Sequence, residues 1–439
     1  MLTAGARQEL GAALAAAFLA GAWTESALVR RGAESLQPRP RWLPVLARDV
    51  LAAYHRPPAD RPRELAAFIA HPLHGLPYAT TRPRVRRWFS PAPAMARRPW
   101  PVPPIATTGE LAERLELDPG QLEWLADARG LERTTHARRL RHYTYLWQPR
   151  PGGPPRPIAR PKLKLKEVQR WILREILDRI PPHDAAHGFV RGRSARTHAR
   201  LHAGRHTVVR MDLEDFFASV PASRVYGIFR TAGYPEAVAH ALTALTTTVV
   251  PRDEWAAIPL PDEPRALSRH LRLGRRLATS HLPQGAPTSP ALASLAATHL
   301  DRRLAALAPT LCATYSRYAD DLAFSGPADL PAGTLRRVVA ELAREEGFRV
   351  VPAKTSVRRR HERQLVAGVV VNAAPNVERR NHDRLKAVLH DAAVNGPAHA
   401  NRDGVPDFRA HLQGRVAWVA QLNPPRGRRL QAALDAIAW

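Results

Sequence analysis

A single cysteine, Cys312, stands among 439 residues. It excludes an internal disulfide and a cysteine-rich zinc site, and the default compartment is then the cytoplasm. Cys312 lies in the apolar run Leu311-Cys312-Ala313 and is expected in a buried strand. Long apolar runs are also missing. The longest, Leu10 to Trp23, has 14 residues and is rich in alanine; a bilayer span needs about 20. Glu9 precedes it and only Arg7 supplies positive charge before it, so a packed helix is a better reading than a signal peptide. No membrane partner is expected. Acid is scarce: 39 Asp and Glu face 66 Lys and Arg, a formal charge of +27. Such an excess points to a polyanionic partner, nucleic acid above all. Lysine is scarcer still, with five against 61 arginines. Only lysine can readily give up a proton near neutral pH, so Lys162, Lys164, Lys166 and Lys354 stand out in an arginine-rich chain.

What is present changes character along the chain. Residues 1–72 read as a helical extension, with apolar residues at three- and four-residue spacing over Gln8–Ala22, Leu43–Tyr54 and Arg63–Ile69. Residues 73–104 are rich in Pro, Arg and Trp and read as a linker or strapped arm. Residues 105–140 form a small helical segment, with a helix start at Thr108 and a second helix over Leu122–Leu131. From 141 to 372 strands and helices alternate. The expected strands are Tyr143–Gln148, a return from Arg156, Val208–Leu213, Val350–Val351 and Val366–Val371. The expected helices are Leu165–Ile180, one following the Leu282 loop, and Ala332–Glu346. Residues 373–439 read as mainly helical. Sheet with helices followed by a helical end gives an α+β fold.

The chemistry concentrates in Tyr318-Ala319-Asp320-Asp321, flanked by β-prone residues. Neighbouring side chains in a strand point to opposite faces, so both acids reach one site only if they sit at a turn. A hairpin with two carboxylates at its tip binds hard cations. A third acid is needed to hold two divalent ions about 3.5–4 Å apart for in-line phosphoryl transfer. The short apolar strand Val208-Val209-Arg210-Met211-Asp212 ends in one. An Asp-Asp pair alone is usually just a turn. The ordered series of strand-Asp212, then Gln284-Gly285-x-x-x-Ser289-Pro290, then Tyr318-Ala319-Asp320-Asp321, then Lys354 is far more specific and has the arrangement of a nucleotide polymerase palm.

From about Leu111 to Trp439 the sequence resembles the bacterial retron reverse transcriptases. The resemblance is carried by Arg156-Pro157-Ile158-Ala159-Arg160-Pro161, by His187-Gly188-Phe189-Val190-Arg191-Gly192-Arg193-Ser194, by Asp212-Leu213-Glu214-Asp215-Phe216-Phe217 and by Leu282 to Pro290. It continues through Tyr315 to Asp321, Ala353-Lys354-Thr355, Leu412-x-Gly414-Arg415-Val416-Ala417-Trp418 and Asn423-Pro424. Two places depart from the family: Val366-Ala367-Gly368 replaces Val-Thr-Gly, and Glu236-Ala237-Val238-Ala239-His240 is the closest match to Asn-Ala-x-x-His.

The resemblance implies a right-hand polymerase fold, with fingers, a palm built on an antiparallel sheet and a helical thumb, preceded by the helical extension. It implies an RNA-directed DNA polymerase, a nucleotidyltransferase using two Mg²⁺ ions, with Mn²⁺ as a substitute. Asp212 and Asp320 would be the main metal ligands, the Leu213 carbonyl would help, and Asp321 would complete the cluster. Phe217, five residues after Asp212, would stack on the sugar and exclude a 2′-OH, whereas Phe216 is expected in the core. Arg156 and Arg191 suit the triphosphate, since guanidinium binds phosphate in a planar fork; Lys162 and Lys164 are weaker choices. Gln284 and Gly285 would lie under the incoming nucleotide, and Lys354 would donate a proton to the departing pyrophosphate. Arg269, Arg272, Arg275, Arg276, Arg358, Arg359, Arg379 and Arg380 would hold template and primer phosphates without reading sequence. Trp418 and Trp439 are expected to pack within the thumb.

The implied function is to copy a dedicated structured non-coding RNA, both template and primer, into single-stranded DNA from dNTPs. Priming from a 2′-OH of a guanosine would leave a branched RNA–DNA hybrid (msDNA) used in antiphage defence with an effector protein. The alternatives are a phage-defence reverse transcriptase without a retron RNA, a group II intron-like enzyme, which is expected to carry a further maturase segment after the thumb, and an inactive RNA-binding scaffold. The scaffold is disfavoured because Asp212, Asp320 and Asp321 are all present.

Overall fold

The computed structural model describes residues 3–71, 83–150 and 153–439. The first part of the expected linker, residues 73–82, and the tip of the expected turn at Pro151-Gly152 lie outside these. The chain folds as two compact units, one of Met1–Ile180 with Pro221–Thr288, the other of Pro181–Val220 with Ser289–Trp439.

The first unit begins with helices Ala4–Leu19, Glu25–Ser35, Leu43–Ala53 and Pro62–Ala70. They close on a core of Leu10, Leu14, Phe18, Leu28, Leu43, Val50, Leu65 and Ile69. The Glu25–Ser35 helix is absent from the sequence expectations for a physical reason. Its Arg31 faces inward, where periodicity demands an apolar residue, and donates to the carbonyls of Ala17, Phe18 and Ala22. Those carbonyls lie in the last turn of the Ala4–Leu19 helix and just beyond it, where intrahelical donors run out. Strands β1 (Leu36–Gln37) and β2 (Arg84–Val85) pair antiparallel beside this core.

The expected helix over Leu122–Leu131 is Pro119–Ala126, stopped by Asp127 at φ +41°. The Asp127 carboxylate accepts from the amides of Leu131 and Glu132 and opens a 3₁₀ turn instead. Strands β3 (Tyr143–Arg150) and β4 (Gly153–Pro161) form a two-stranded hairpin, Tyr143 opposite Pro161 and Gln148 opposite Arg156. The prolines of β4 lack N–H donors, which confines it to an edge. The helix after it spans Leu163–Glu175, and a 3₁₀ turn, Leu177–Arg179, replaces its expected last turn. The basic run near Arg269 is a helix, Pro264–Leu277, whose amides at Arg265 and Ala266 are capped by the Glu263 carboxylate. His270, Leu273 and Leu277 bury one face.

The second unit is built on a four-stranded antiparallel sheet in the order β6-β7-β5-β8. Here β5 is Thr207–Asp212, β6 Thr314–Tyr318, β7 Asp321–Gly326 and β8 Ser356–Arg359. Val208, Val209 and Met211 fix β5 as the central strand by burying both its faces. Two expectations fail here. Val350 makes only an isolated bridge to Leu213, because Pro352 has no N–H to extend a ladder and starts a 3₁₀ turn, Pro352–Lys354. Val366–Val371 is a hairpin of β9 (Leu365–Val366) and β10 (Val369–Val370), turned at Ala367 and Gly368 with φ of +47° and +77°. Cys312 is exposed, at φ +51° in the turn before β6, rather than in a strand. Helices Arg379–Asn395, Phe408–Leu422 and Pro424–Asp435 end the chain around Leu385, Leu389, Leu412, Val416, Leu430 and Leu434. Trp418 and Trp439 stay part-exposed rather than filling that core.

Candidate active site

The four-residue motif is a hairpin, as its sequence requires. Tyr318 pairs with Asp321 across β6 and β7, and Ala319, at φ +56°, turns the chain with Asp320. Register does the rest. Asp212, the last residue of β5, stands opposite Asp321. Direct partners in an antiparallel ladder have Cα atoms about 4.5–5.5 Å apart. The Leu213 amide donates to the Asp320 carbonyl at 2.9 Å, which ties the strand end to the hairpin tip. Asp212, Asp320, Asp321 and Leu213 are therefore gathered at one end of the sheet.

Like charges facing each other across strands destabilise a sheet, and this unit offsets the repulsion with its own cations. Lys354 Nζ donates to Asp212 Oδ1 at 2.7 Å. Arg210, two residues before Asp212 and so on the same face of β5, clamps Asp321 through Nε to Oδ1 at 3.2 Å and Nη2 to Oδ2 at 2.6 Å. Burial pushes the Asp321 carboxyl above its usual range, the Arg210 guanidinium pulls it back, and the charges of Asp320 and Asp212 push it up again. Among the described residues no three His, Cys, Asp or Glu side chains stand as a closed ligand set. The donor chemistry nonetheless fits a hard divalent ion: carboxylate oxygens, mutually repelling, at an edge that a cation would relieve.

Behind the hairpin lies a buried polar layer. Arg317 and Asp301, both fully buried, pair at 2.6 Å, and Asp301 also accepts from the Tyr315 hydroxyl at 2.8 Å. Arg317 donates further to the Ala319 carbonyl in the turn, at 2.9 Å. Ser316 Oγ lies 2.8 Å from both His198 and His202, and His202 reaches Ser325 at 2.8 Å. Burial is the main cause that lowers His198 to about 2 and His202 to about 3, so both rings are neutral.

Phe217 is half-buried, with ring centroids of Phe216 at 5.8 Å and Phe189 at 6.2 Å. Phe216 is core, as expected: it packs on Phe348, and the Arg317 guanidinium lies 5.6 Å from its centroid. Arg191 is exposed on the segment that carries Phe189, while Arg193 is occupied by the carbonyls of Ala186 and Asp184.

The other expected nucleotide contacts belong to the first unit. Gln284 accepts through its carbonyl from the Ala159 amide at 2.8 Å, three residues along β4 from Arg156. Gly285 sits at φ +119°, and a Cβ there would meet the Ala159 carbonyl at 2.9 Å, so only glycine fits without a shift. Gln284 and Gly285 thus pack on β4 at Ala159, and Arg156, farther along the same strand, has its Nε buried without a hydrogen-bond partner. Lys162 is engaged elsewhere, its ammonium donating to the carbonyls of Arg138 and Arg139 at 2.9 Å each.

Of the basic candidates, Arg269, Arg272 and Arg276 recur at three- and four-residue spacing on one side of the Pro264–Leu277 helix, half-buried, with Arg275 exposed beside them. Arg358 pairs with Glu362 at 2.6 Å, and Arg359 donates to Thr207 at 3.0 Å, so both already have protein partners. Arg379 and Arg380 are exposed at the start of the Arg379–Asn395 helix, where Arg379 lies 3.6 Å from Asp383.

A sheet end that gathers three aspartates and a lysine suits the nucleotidyl-transfer class, and comparison with known proteins agrees. The family model described as reverse transcriptase (RNA-dependent DNA polymerase) matches residues 148–371. The Retron Mx65 reverse transcriptase of Myxococcus xanthus is 38% identical over 350 residues, covering 80% of this chain and 76% of that protein. The Retron Mx162 reverse transcriptase of the same organism is 39% identical over 343 residues, covering 74% and 66%. The Retron Ec86 reverse transcriptase of Escherichia coli is 27% identical over 276 residues, covering 63% and 74%. The chain belongs to the retron-type reverse transcriptases. It is therefore an RNA-directed DNA polymerase with a right-hand polymerase fold, in a family that generally uses divalent metal ions, RNA templates and dNTPs. No helix among the described residues is long and apolar enough to cross a membrane.

Proposed function

We propose that this enzyme copies part of a dedicated structured RNA into single-stranded DNA, priming from a 2′-OH of a guanosine in that RNA and leaving a branched RNA–DNA hybrid. The observation that carries the reading is Asp212 opposite Asp321, with Lys354 at 2.7 Å, in a chain 38% identical to the Retron Mx65 reverse transcriptase. An effector protein and a role in antiphage defence belong to the same reading, as does a cytoplasmic location.

Asp212 and Asp320, helped by the Leu213 carbonyl, would hold the metal, and Asp321 would complete the acidic cluster. Bound there, two Mg²⁺ ions, or Mn²⁺ in their place, would activate the primer hydroxyl and neutralise charge on the triphosphate. Were Asp212 to serve as a metal ligand, Lys354 would leave it, and its ammonium would be free to meet the departing pyrophosphate. Arg156 and Arg191 receive the triphosphate, Gln284 and Gly285 shape the floor under the nucleotide, and Phe217 meets the sugar. Arg269, Arg272, Arg275, Arg276, Arg358, Arg359, Arg379 and Arg380 take backbone phosphates, those paired within the protein exchanging their partners for phosphate. Fingers and palm occupy 141–372 and the thumb 373–439, after a helical extension (1–72), a linker (73–104) and a small helical segment (105–140).

The test is to express the gene with its flanking DNA and isolate the nucleic acid bound to the protein. A single-stranded DNA joined to RNA through a 2′ linkage, released by a debranching enzyme and absent with Asp320→Asn, is the expected product. Primer extension without any branched product would overturn the retron reading and leave a reverse transcriptase without a retron RNA.

A further inference from the structure

Phe189 lies in the family-like run His187 to Ser194, on the loop that also carries Arg191. Its backbone is left-handed, at φ +62°. That conformation is an outlier for a bulky residue. The residue is 52% exposed, which burial alone does not favour for an aromatic. A strained, exposed phenylalanine is held by its surroundings rather than by its own preferences.

Those surroundings are the catalytic hairpin. The His187 amide donates to the Arg317 carbonyl and the Arg317 amide to the Ala185 carbonyl, each at 2.7 Å, so residues 185–187 run beside β6 as an added rung. Gly188 follows against the turn itself: a Cβ there would lie 2.3 Å from the Ala319 amide nitrogen. The loop then closes on itself through Arg193, which holds the Ala186 carbonyl at 2.7 Å. Phe189 is thereby fixed to the hairpin that carries Asp320 and Asp321.

Its ring meets Phe217 at 6.2 Å, tilted by 49°. The second ring on Phe217 is Phe216, which is itself held by Phe348 and Arg317. Phe217 thus contacts a buried ring and a half-exposed one. A ring that rejects a single oxygen atom works only if it cannot swing aside, and without Phe189 one of these two supports is gone. We propose that Phe189 is a specificity-determining positioning residue, a backstop that fixes the Phe217 ring relative to the acidic hairpin and so sharpens discrimination against ribonucleotides. The inference rests on the reading of Phe217 as the residue beside the sugar.

The experiment measures kcat/KM for rNTP and dNTP in primer extension by the full chain and its variants. Phe217→Ala tests the underlying reading. Phe189→Ala removes the backstop. Phe189→Gly removes it while relieving the left-handed strain, so lost selectivity there is not lost folding. Phe189→Leu keeps bulk and serves as the rescue. Expected are a rise in rNTP use relative to dNTP of about tenfold, equivalent to 1.4 kcal/mol, for Phe189→Ala and Phe189→Gly, a near-parental ratio for Phe189→Leu, and a double variant with Phe217→Ala no worse than Phe217→Ala alone. If Phe217→Ala relaxes selectivity and neither Phe189 variant does, the backstop is wrong and the sugar reading stands. If the double variant is fully additive, Phe189 acts independently of Phe217 and the backstop is again wrong. If Phe217→Ala itself changes nothing, the sugar reading fails and takes the proposal with it.

Discussion

Arg210 grips Asp321 through both carboxylate oxygens, at 3.2 and 2.6 Å, from the strand that also carries Asp212. The second aspartate of the hairpin is therefore paired with a fixed cation of the protein, which opposes the upward push of burial on its pKa. We predict that Arg210→Gln raises the Asp321 pKa further, because the guanidinium that opposes burial is lost. Asp321 then protonates at higher pH, so the acidic limb of the pH–rate profile moves upward and the loss is larger at pH 6.5 than at pH 8.5. An unmoved acidic limb in folded protein would show that the pair has no part in the chemistry.

The acidic cluster itself yields a simpler prediction. Asp320→Asn or Asp321→Asn removes a charge without changing shape. If the carboxylates hold the ions that stabilise the transition state, DNA synthesis falls by roughly a thousandfold or more. Retained extension by purified variant protein with Mg²⁺ present would sink the assignment.

Lys354 is one of five lysines in a chain with 61 arginines, and its ammonium rests on Asp212 at 2.7 Å. An arginine there would keep the charge and the pairing, but its pKa is too high to release a proton readily. We predict that Lys354→Arg slows single-turnover incorporation by about a hundred- to ten-thousandfold, the usual contribution of a general acid, with dNTP binding nearly intact. A rate within about twofold of the parent would leave electrostatics as its only role.

The acidic centre is legible in the sequence because its signals are local. Two acids between β-prone runs must turn, and a valine-rich strand ending in Asp212 must be central. Gly285 is likewise readable as a close backbone approach, though not which backbone it meets. What escapes is pairing across distance. Glu236 accepts from the amides of Arg63 and Glu64, capping a helix 173 residues upstream. Arg210 looks like the polar residue of a strand until register sets it diagonal to Asp321. Arg31 faces a core in a helix whose periodicity it breaks. Phe189 and Gly188 sit in a recognisable motif, but their contact with Ala319 and Phe217 needs the parallel rung beside β6. In each case a long-range partner, not local propensity, decides the conformation.

Arg317 and Asp301 provide the last prediction. Both side chains are fully buried, and their contact at 2.6 Å is joined by Tyr315 and by the Ala319 carbonyl in the catalytic turn. A buried pair contributes little net stability because desolvation offsets attraction, but removing one partner strands the other charge. Arg317→Met should therefore cost about 3–5 kcal/mol, read as a lower denaturant midpoint. Replacing both, Arg317→Met with Asp301→Leu, should recover much of that loss, since no unpaired charge remains. Activity should not recover with it, because the turn that carries Asp320 still lacks the donor to Ala319. A double variant as unstable as the single one would mean the pair's attraction outweighs its desolvation, and restored activity would mean the turn needs no such support.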